Sequence, residues 1–272
     1  DHYEKKKNEP DIFAIIIEPF SASSLLECSE KFLRRLREIC LEKKIILIFD
    51  EIYTGWGKTG EYFYFMKYDN LAPDILTMSK SFGGGKSSIS CFTTTKKIFE
   101  KAYGNIQDST IHSTTYNAFG EESVTALEAV NIAVEDKYPE RAKLIGKIIN
   151  QKSLDLKNKY PKEIIELRGQ GCLQGIIFNS GPDILKKIIS IIPSDITRDE
   201  RFISKLITSS VISNLYTEFN ILASLGQNKD ICLWISPSLI VTEQEVSYFF
   251  DCLDKTLNHG LLKLITIFLK KK

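Results

Sequence analysis

The chain has 272 residues, 43% of them hydrophobic and 26% charged, with a formal net charge of +1. That is ordinary globular composition, enough for one large domain or one and a half. A balance so near neutrality gives no electrostatic reason to expect a nucleic acid or a membrane surface as partner, and the basic triplets at residues 5–7 and 270–272 read as solvated tails.

Residues 11–17, DIFAIII, form a continuous apolar run closed by Glu18-Pro19. Such a run predicts a buried strand, of the kind found in parallel sheets. Residues 29–41 then place Phe32, Leu33, Leu36, Ile39 and Cys40 on one helical face with charges opposite. A second buried strand, IILIF at 45–49, ends at Asp50-Glu51. Strand, helix and strand with short connections make a βαβ unit.

A loop rich in glycine and aromatics follows, YTGWGKTGEYFYF. DILTM at 74–78 predicts a third strand, ending at Ser79-Lys80, and SISCFTT at 88–94 a fourth. Residues 118–136 read as a helix with Val124, Leu127, Val130 and Ala133 on one face, and 140–158 as another. Beyond Tyr160 the pattern changes. Residues 164–178 read as two short antiparallel strands around glycines, 199–214 as a helix, 231–235 as a strand and 242–257 as the closing helix. The expected organisation is a mostly parallel α/β large domain over 1–159 and a smaller α+β domain over 160–272. The last apolar stretch, LLKLITIFL, is interrupted by Lys263 and is too short to cross a bilayer.

Six cysteines stand at 28, 40, 91, 172, 232 and 252 without a Cys-x-x-Cys pair. They read as buried free thiols of a reducing, cytoplasmic compartment rather than as disulfides or metal ligands. Three histidines, at 2, 112 and 259, are too scattered to predict a metal centre.

Two lysines compete for the chemistry in ILTMSKSFGGGKSSIS, residues 75–90. Gly85-Lys86-Ser87 is the end of a phosphate loop, but the opening glycine of that motif would fall where the chain has Lys80. The hydrophobic run ending in an acid, IILIFDE, also precedes the glycines instead of following them. These two mismatches count against a nucleotide hydrolase. A pyridoxal enzyme uses more of the residues together. It needs a lysine to hold the cofactor aldehyde as a Schiff base, and a carboxylate against the pyridine nitrogen so that the ring accepts electrons. Asp50 and Lys80 each follow a predicted strand, at the sheet edge where open α/β sheets bind ligands.

Here the chain resembles a known family. AIIIEPF, LIFDEIYTGWGKTGEYF, APDILTMSKSFGGG, HSTTYNAFGEESVTALEA, LRGQGCLQGI and ISPSLIVTEQEV match, in order, landmarks of the C-terminal part of class III aminotransferases, which are fold type I pyridoxal-phosphate enzymes. The resemblance implies that Lys80 forms the Schiff base and shuttles the proton, and that Asp50 binds the pyridinium. It implies that Ile52 packs on one ring face and that Thr115 donates to the phosphate across a homodimer interface. Glu18 would shape the floor of the site. Burial and the cationic ring would lower the pKa of the lysine, and Gly83, Gly84 and Gly85 would let backbone approach the ligand. The substrates implied are a small amino donor and a carbonyl acceptor.

Three departures from the family pattern stand out. The family's N-terminal portion, with its glycine/serine phosphate loop and ring-stacking aromatic, has no counterpart in these residues. The expectation is therefore a fragment, a truncated reading frame or one piece of a split protein, inactive in isolation. Trp234 stands where many members carry a late-strand arginine that grips the substrate carboxylate, and an indole cannot make that bidentate pair; it reads either as a substrate contact or as a core aromatic. Tyr53 replaces a glutamine, and its hydroxyl could still donate to the cofactor's ring oxygen. An aminomutase of the same family and a non-catalytic remnant remain as alternative readings.

Overall fold

A computed structural model describes residues 12–108, 110–117, 119–181, 200–226 and 228–270. Asp11, Ala118 and Asp199, each the first residue of a predicted element, lie outside the described residues, as do His2 and the basic triplet at 5–7. The chain divides into two compact units. One comprises the chain up to Pro19, Cys28–Gly55 and Phe63–Ile132; the other comprises Phe20–Glu27, Trp56–Tyr62 and Ala133–Lys272.

The first unit is built on a four-stranded sheet. Strands β1 (Ala14–Ile17), β4 (Ile46–Asp50) and β5 (Ile75–Met78) run parallel, and β6 (Cys91–Thr94) closes the order β1-β4-β5-β6 antiparallel to β5. Helix α1 (Glu30–Lys43) makes the crossover from β1 to β4. Its start is set by Ser29, whose Oγ accepts the Phe32 N–H, and its end by Lys44 in the left-handed region. Arg37 pins the helix to the sheet through a two-pronged pair with Asp74, and Asp74 also accepts the Leu47 N–H at 2.8 Å.

Burial alternates along β4: Leu47 and Phe49 are fully buried, while Ile46 and Ile48 are only half-buried. The apolar runs predict strands buried on both faces, yet Ile16 of β1 is 62% exposed. The reason is position: β1 is an edge strand, with only β4 beside it among the described residues. The same holds for α3 (Gly120–Glu135). Its inward contacts come from Ala126 and Ala133, while Val124 and Leu127, placed by periodicity on the core face, are exposed. Helix α2 (Lys96–Tyr103) precedes it, starting at the Thr95 cap.

The second unit has its own core. Strands β7 (Ile164–Gln170) and β8 (Leu173–Phe178) form the predicted antiparallel hairpin, continued by β10 (Leu233–Ile235) and β9 (Ser224–Leu225) in the order β7-β8-β10-β9. The hairpin turns at Gly171, where φ is +57° and a Cβ would sit 2.7 Å from the Lys58 carbonyl oxygen. A short hairpin of β2 (Phe20–Ser21) and β3 (Leu26–Glu27) also belongs to this unit. Helices α4 (Tyr138–Lys159), α5 (Glu200–Phe219), α6 (Glu243–Leu257) and α7 (Leu261–Lys270) bury Ile149, Ile203, Ile207, Leu253 and Ile265 in one cluster with Ile164 and Ile176 of the sheet. Helix α6 opens on a reciprocal Thr242–Glu245 capping box. It does not close the chain: the LLKLITIFL segment forms α7 and buries Leu261, Leu264 and Ile265. No helix among the described residues is long and apolar enough to span a membrane.

Candidate active site

The parallel register brings the predicted site residues of the first unit to one sheet edge. Ile17 pairs with Phe49, Phe49 with Leu76, and Asp50 with Thr77. The carboxyl ends of three neighbouring strands thus present Glu18, Asp50 and the segment leading to Lys80. At Asp50, Oδ1 accepts two hydrogen bonds, from the Ile52 N–H and from Thr77 Oγ1, each at 3.1 Å. Both fall on the same oxygen. No hydrogen bond from a described residue reaches Oδ2, so the carboxylate is oriented with one oxygen left for a ligand.

Lys80 opens a short 3-10 turn, Lys80–Gly83, with φ +47°, a left-handed conformation uncommon for a side-chain-bearing residue. Its ammonium lies 5.1 Å from the centroid of the Tyr53 ring, within cation–π range. The burial expected around this amine is not supplied by the described residues, since Lys80 is exposed. Ile52 and Tyr53 are half-buried, and Tyr53 meets Lys80 through its ring face. Glu18 is half-buried, and its carbonyl accepts the Cys28 thiol at 3.7 Å. Thr115 lies in an exposed turn.

Lys86 stands apart from this arrangement. The Lys86 and Ser87 N–H groups both donate to the Gly83 carbonyl, so they close a turn and are not turned outward to cradle a phosphate. Gly84 and Gly85 take φ +61° and +73°, and a Cβ on Gly84 would meet the Ala129 Cβ at 2.8 Å. These glycines serve the turn and the packing of α3.

Trp234 belongs to the second unit. It is half-buried on β10 and lies directly across from Gly175 of β8, with Arg168 of β7 on the other side of Gly175. Arg168 is 10% exposed in its side chain, bonded twice to Glu166 and once to Asp230 at 2.8 Å, and it also donates to the Ser24 carbonyl. The arginine two strands away from Trp234 therefore already carries two carboxylates. Lys58 is largely desolvated, which lowers its pKa, and it donates to the Pro237 carbonyl at 2.6 Å.

Three residues of the first unit were not singled out from sequence. Thr77 orients Asp50; its signal would have been the register of the two parallel strands. Glu51 is 1% exposed and accepts from Thr54 Oγ1 at 2.8 Å, the Tyr64 N–H at 2.6 Å and the Phe65 N–H at 3.0 Å, tying the loop after β4 back beneath its own start. Burial pushes its carboxyl up to about 6, against these hydrogen bonds, with nearby Asp50 adding to the rise. Glu122, in the first turn of α3, lines a cavity of about 1020 Å³ together with Ile52, Thr77, Phe82, Phe92 and Leu127. The six cysteines are free, although Cys28 and Cys91 are only half-buried. No group of three or more His, Cys, Asp or Glu side chains among the described residues could hold a metal ion.

The donor set suits a pyridoxal cofactor. A carboxylate with one anchored and one open oxygen matches a protonated ring nitrogen, and an exposed amine beside the neighbouring strand end matches an aldehyde. A hydrolase reading has no such support, because the backbone donors beside Lys86 are already used.

A family model described as aminotransferase class-III matches residues 1–257. A putrescine aminotransferase of Pectobacterium atrosepticum is 34% identical over 174 residues, which is 64% of this chain and 36% of that protein. Among solved structures, an ornithine aminotransferase of Plasmodium yoelii matches with a TM-score of 0.71 at 21% identity, covering 94% of this chain and 59% of that one. A transaminase of the marine bacterium Virgibacillus matches with a TM-score of 0.75 at 20% identity, covering 94% and 54%. The chain thus spans about a third of the curated relative's length and a little over half of these solved chains.

Proposed function

This chain belongs to the class III aminotransferases, and on that premise we propose that it acts in pyridoxal-phosphate-dependent transfer of an amino group from an amine or amino acid to a keto acid or aldehyde. The observation that carries the reading is the pair of strand ends: Asp50, held by Thr77, and Lys80 follow adjacent parallel strands of one sheet.

Pyridoxal phosphate, when bound, supplies an aldehyde that condenses with amines and a ring that delocalises electrons. Lys80 would hold it and move a proton at Nζ. Asp50 would keep the ring nitrogen protonated through Oδ2, an opposite-charge pair favouring both ionised forms. Ile52 would lie against the ring, Tyr53 would orient the lysine or donate to the ring oxygen, and Thr115 would donate to the phosphate. Glu18 would stand on the substrate side. The reading carries with it a homodimer with the cofactor at its interface and a cytoplasmic setting in keeping with six free thiols.

A second reading is favoured by one observation, the exposure of Lys80: the working site needs a further polypeptide segment to cover it, so this chain alone is inactive or serves as one part of a split enzyme. Titration with pyridoxal phosphate tests both. The first reading expects a visible absorbance change, fixed to Lys80 by borohydride and followed by amine-dependent keto-acid amination. The second expects binding only after an N-terminal polypeptide of a class III aminotransferase is added. Release of no carbonyl product from the donor, with its amino group moved within the molecule, would indicate an aminomutase instead.

A further inference from the structure

Two anchored backbone segments fix where Lys80 and Tyr53 meet, and both lie within the first unit. Tyr53 sits in the turn after β4, which is pinned on either side of it. The Ile52 N–H donates to Asp50 Oδ1, the Glu51 N–H to the Thr77 carbonyl, the Gly55 N–H to the Glu51 carbonyl, and the buried Thr54 hydroxyl to the buried Glu51 carboxylate. Lys80 follows β5 with φ +47°, a conformation that a side-chain-bearing residue keeps only where its surroundings hold it there. The turn supplies that hold: the Phe82 N–H donates to the Ser79 carbonyl at 2.9 Å, and Ser79 Oγ donates to the Ile89 carbonyl at 3.1 Å. Between these segments the ammonium lies 5.1 Å from the centroid of the Tyr53 ring. Among the described residues no ion pair and no hydrogen bond holds Nζ, so the ring is the partner of an otherwise exposed cation.

We propose that Tyr53 is a positioning residue for Lys80, and that it acts through its ring face and not through its hydroxyl. Resting on the function proposed above, the pairing assigns the tyrosine the first of the two roles open to it there, that of orienting the lysine. A ring quadrupole attracts an ammonium and gives a neutral amine no comparable hold. Tyr53 therefore latches Lys80 at the strand edge in its charged form, and an arriving carbonyl compound must draw the amine off the ring. An exposed amine without such a latch would be open to any aldehyde or acylating agent in solution. The strength of an exposed cation–π pair corresponds to about a two- to fivefold reduction in free amine. Because the hydroxyl takes no part, phenylalanine can replace the tyrosine and an aliphatic side chain cannot.

The experiment is trace acetylation of the full chain, free of pyridoxal phosphate, with N-hydroxysuccinimidyl acetate at neutral pH. Peptide mapping reads the ratio of label on Lys80 to label on Lys86, an exposed lysine of the same segment that serves as internal reference. Tyr53→Leu should raise the ratio about two- to fivefold, and Tyr53→Phe should leave it unchanged. The unaltered chain gives a readout that needs no variant: its ratio should rise by the same factor when concentrated urea unfolds it. An unchanged or lower ratio in Tyr53→Leu, or the same ratio in the native and the unfolded chain, overturns the proposal. So does an equal rise in Tyr53→Phe and Tyr53→Leu, which would give the role to the hydroxyl. Pyridoxal phosphate uptake is measured separately. A Tyr53-dependent ratio in a chain that does not take up the cofactor upholds the pairing and identifies the cofactor reading as what failed. Cofactor uptake at Lys80 with a ratio indifferent to Tyr53 overturns the latch and leaves the cofactor reading standing.

Discussion

Thr77 and Asp50 face each other across two parallel strands, and the threonine hydroxyl donates to Asp50 Oδ1 at 3.1 Å. With the Ile52 N–H on the same oxygen, the carboxylate is fixed in one orientation. Thr77→Val keeps the shape of the side chain and removes the donor. It should weaken pyridoxal phosphate binding by about threefold to tenfold, the net worth of an ordinary hydrogen bond of about 1 kcal/mol, while Asp50→Ala should lower it further. Spectrophotometric titration measures both, and equal affinity of Thr77→Val and the unaltered chain would remove Thr77 from the site.

The two lysines of the glycine segment separate cleanly. Lys80→Ala should abolish borohydride-fixed cofactor, whereas Lys86→Ala should leave it unchanged, since the backbone around Lys86 is spent on a turn. Peptide mapping after reduction locates the label, and a label on Lys86 would refute the assignment.

Glu51 predicts a pH dependence of stability. Its folded-state pKa, about 6, lies above the ordinary carboxylate value of 4.5 because of burial. The folded state therefore holds the proton more tightly, and stability from this group is fully present below pH 4.5 and lost as pH rises through 6. The amplitude is about 2 kcal/mol. Urea unfolding at pH 4.5 and pH 7 should show this loss in the unaltered chain and a flatter profile in Glu51→Gln; identical profiles would show that Glu51 does not titrate in this window.

Asp74 predicts the opposite sign. Burial alone would raise its pKa, but the hydrogen bond from Arg37, the Leu47 N–H and the Arg37 charge together hold it below the usual value. Its contribution is present above that usual value and lost as pH falls through the lowered one. Asp74→Ala also orphans Arg37 and the Leu47 N–H in a site about four-fifths buried. A loss of about 2–3 kcal/mol is expected from urea midpoints at pH 7, and a change below about 0.5 kcal/mol would contradict the role given to this pair.

Much of the architecture was legible from local pattern. Mostly apolar runs of four to seven residues, followed by an acid or lysine, marked β1, β4 and β5, because strands of a parallel sheet carry few polar side chains. The same runs put Asp50 and Lys80 at strand termini, and the order of the landmark segments pointed to the family. The hairpin β7–β8 was legible from its glycines, one of which the turn requires at φ +57°.

What local pattern could not reach depends on partners distant in sequence. Thr77 and Glu51 look like an ordinary strand threonine and a second acid. They acquire roles only when the register sets Thr77 beside Asp50 and the chain returns Tyr64 and Phe65 to Glu51. Periodicity set Val124 and Leu127 on a core face because it measures which side of a helix is apolar, not whether anything covers that side. The exposure of Lys80 and its meeting with the Tyr53 ring are of the same kind. Solvent access and hydrogen-bond satisfaction belong to the surroundings of a side chain, and those surroundings exist only once the chain is packed.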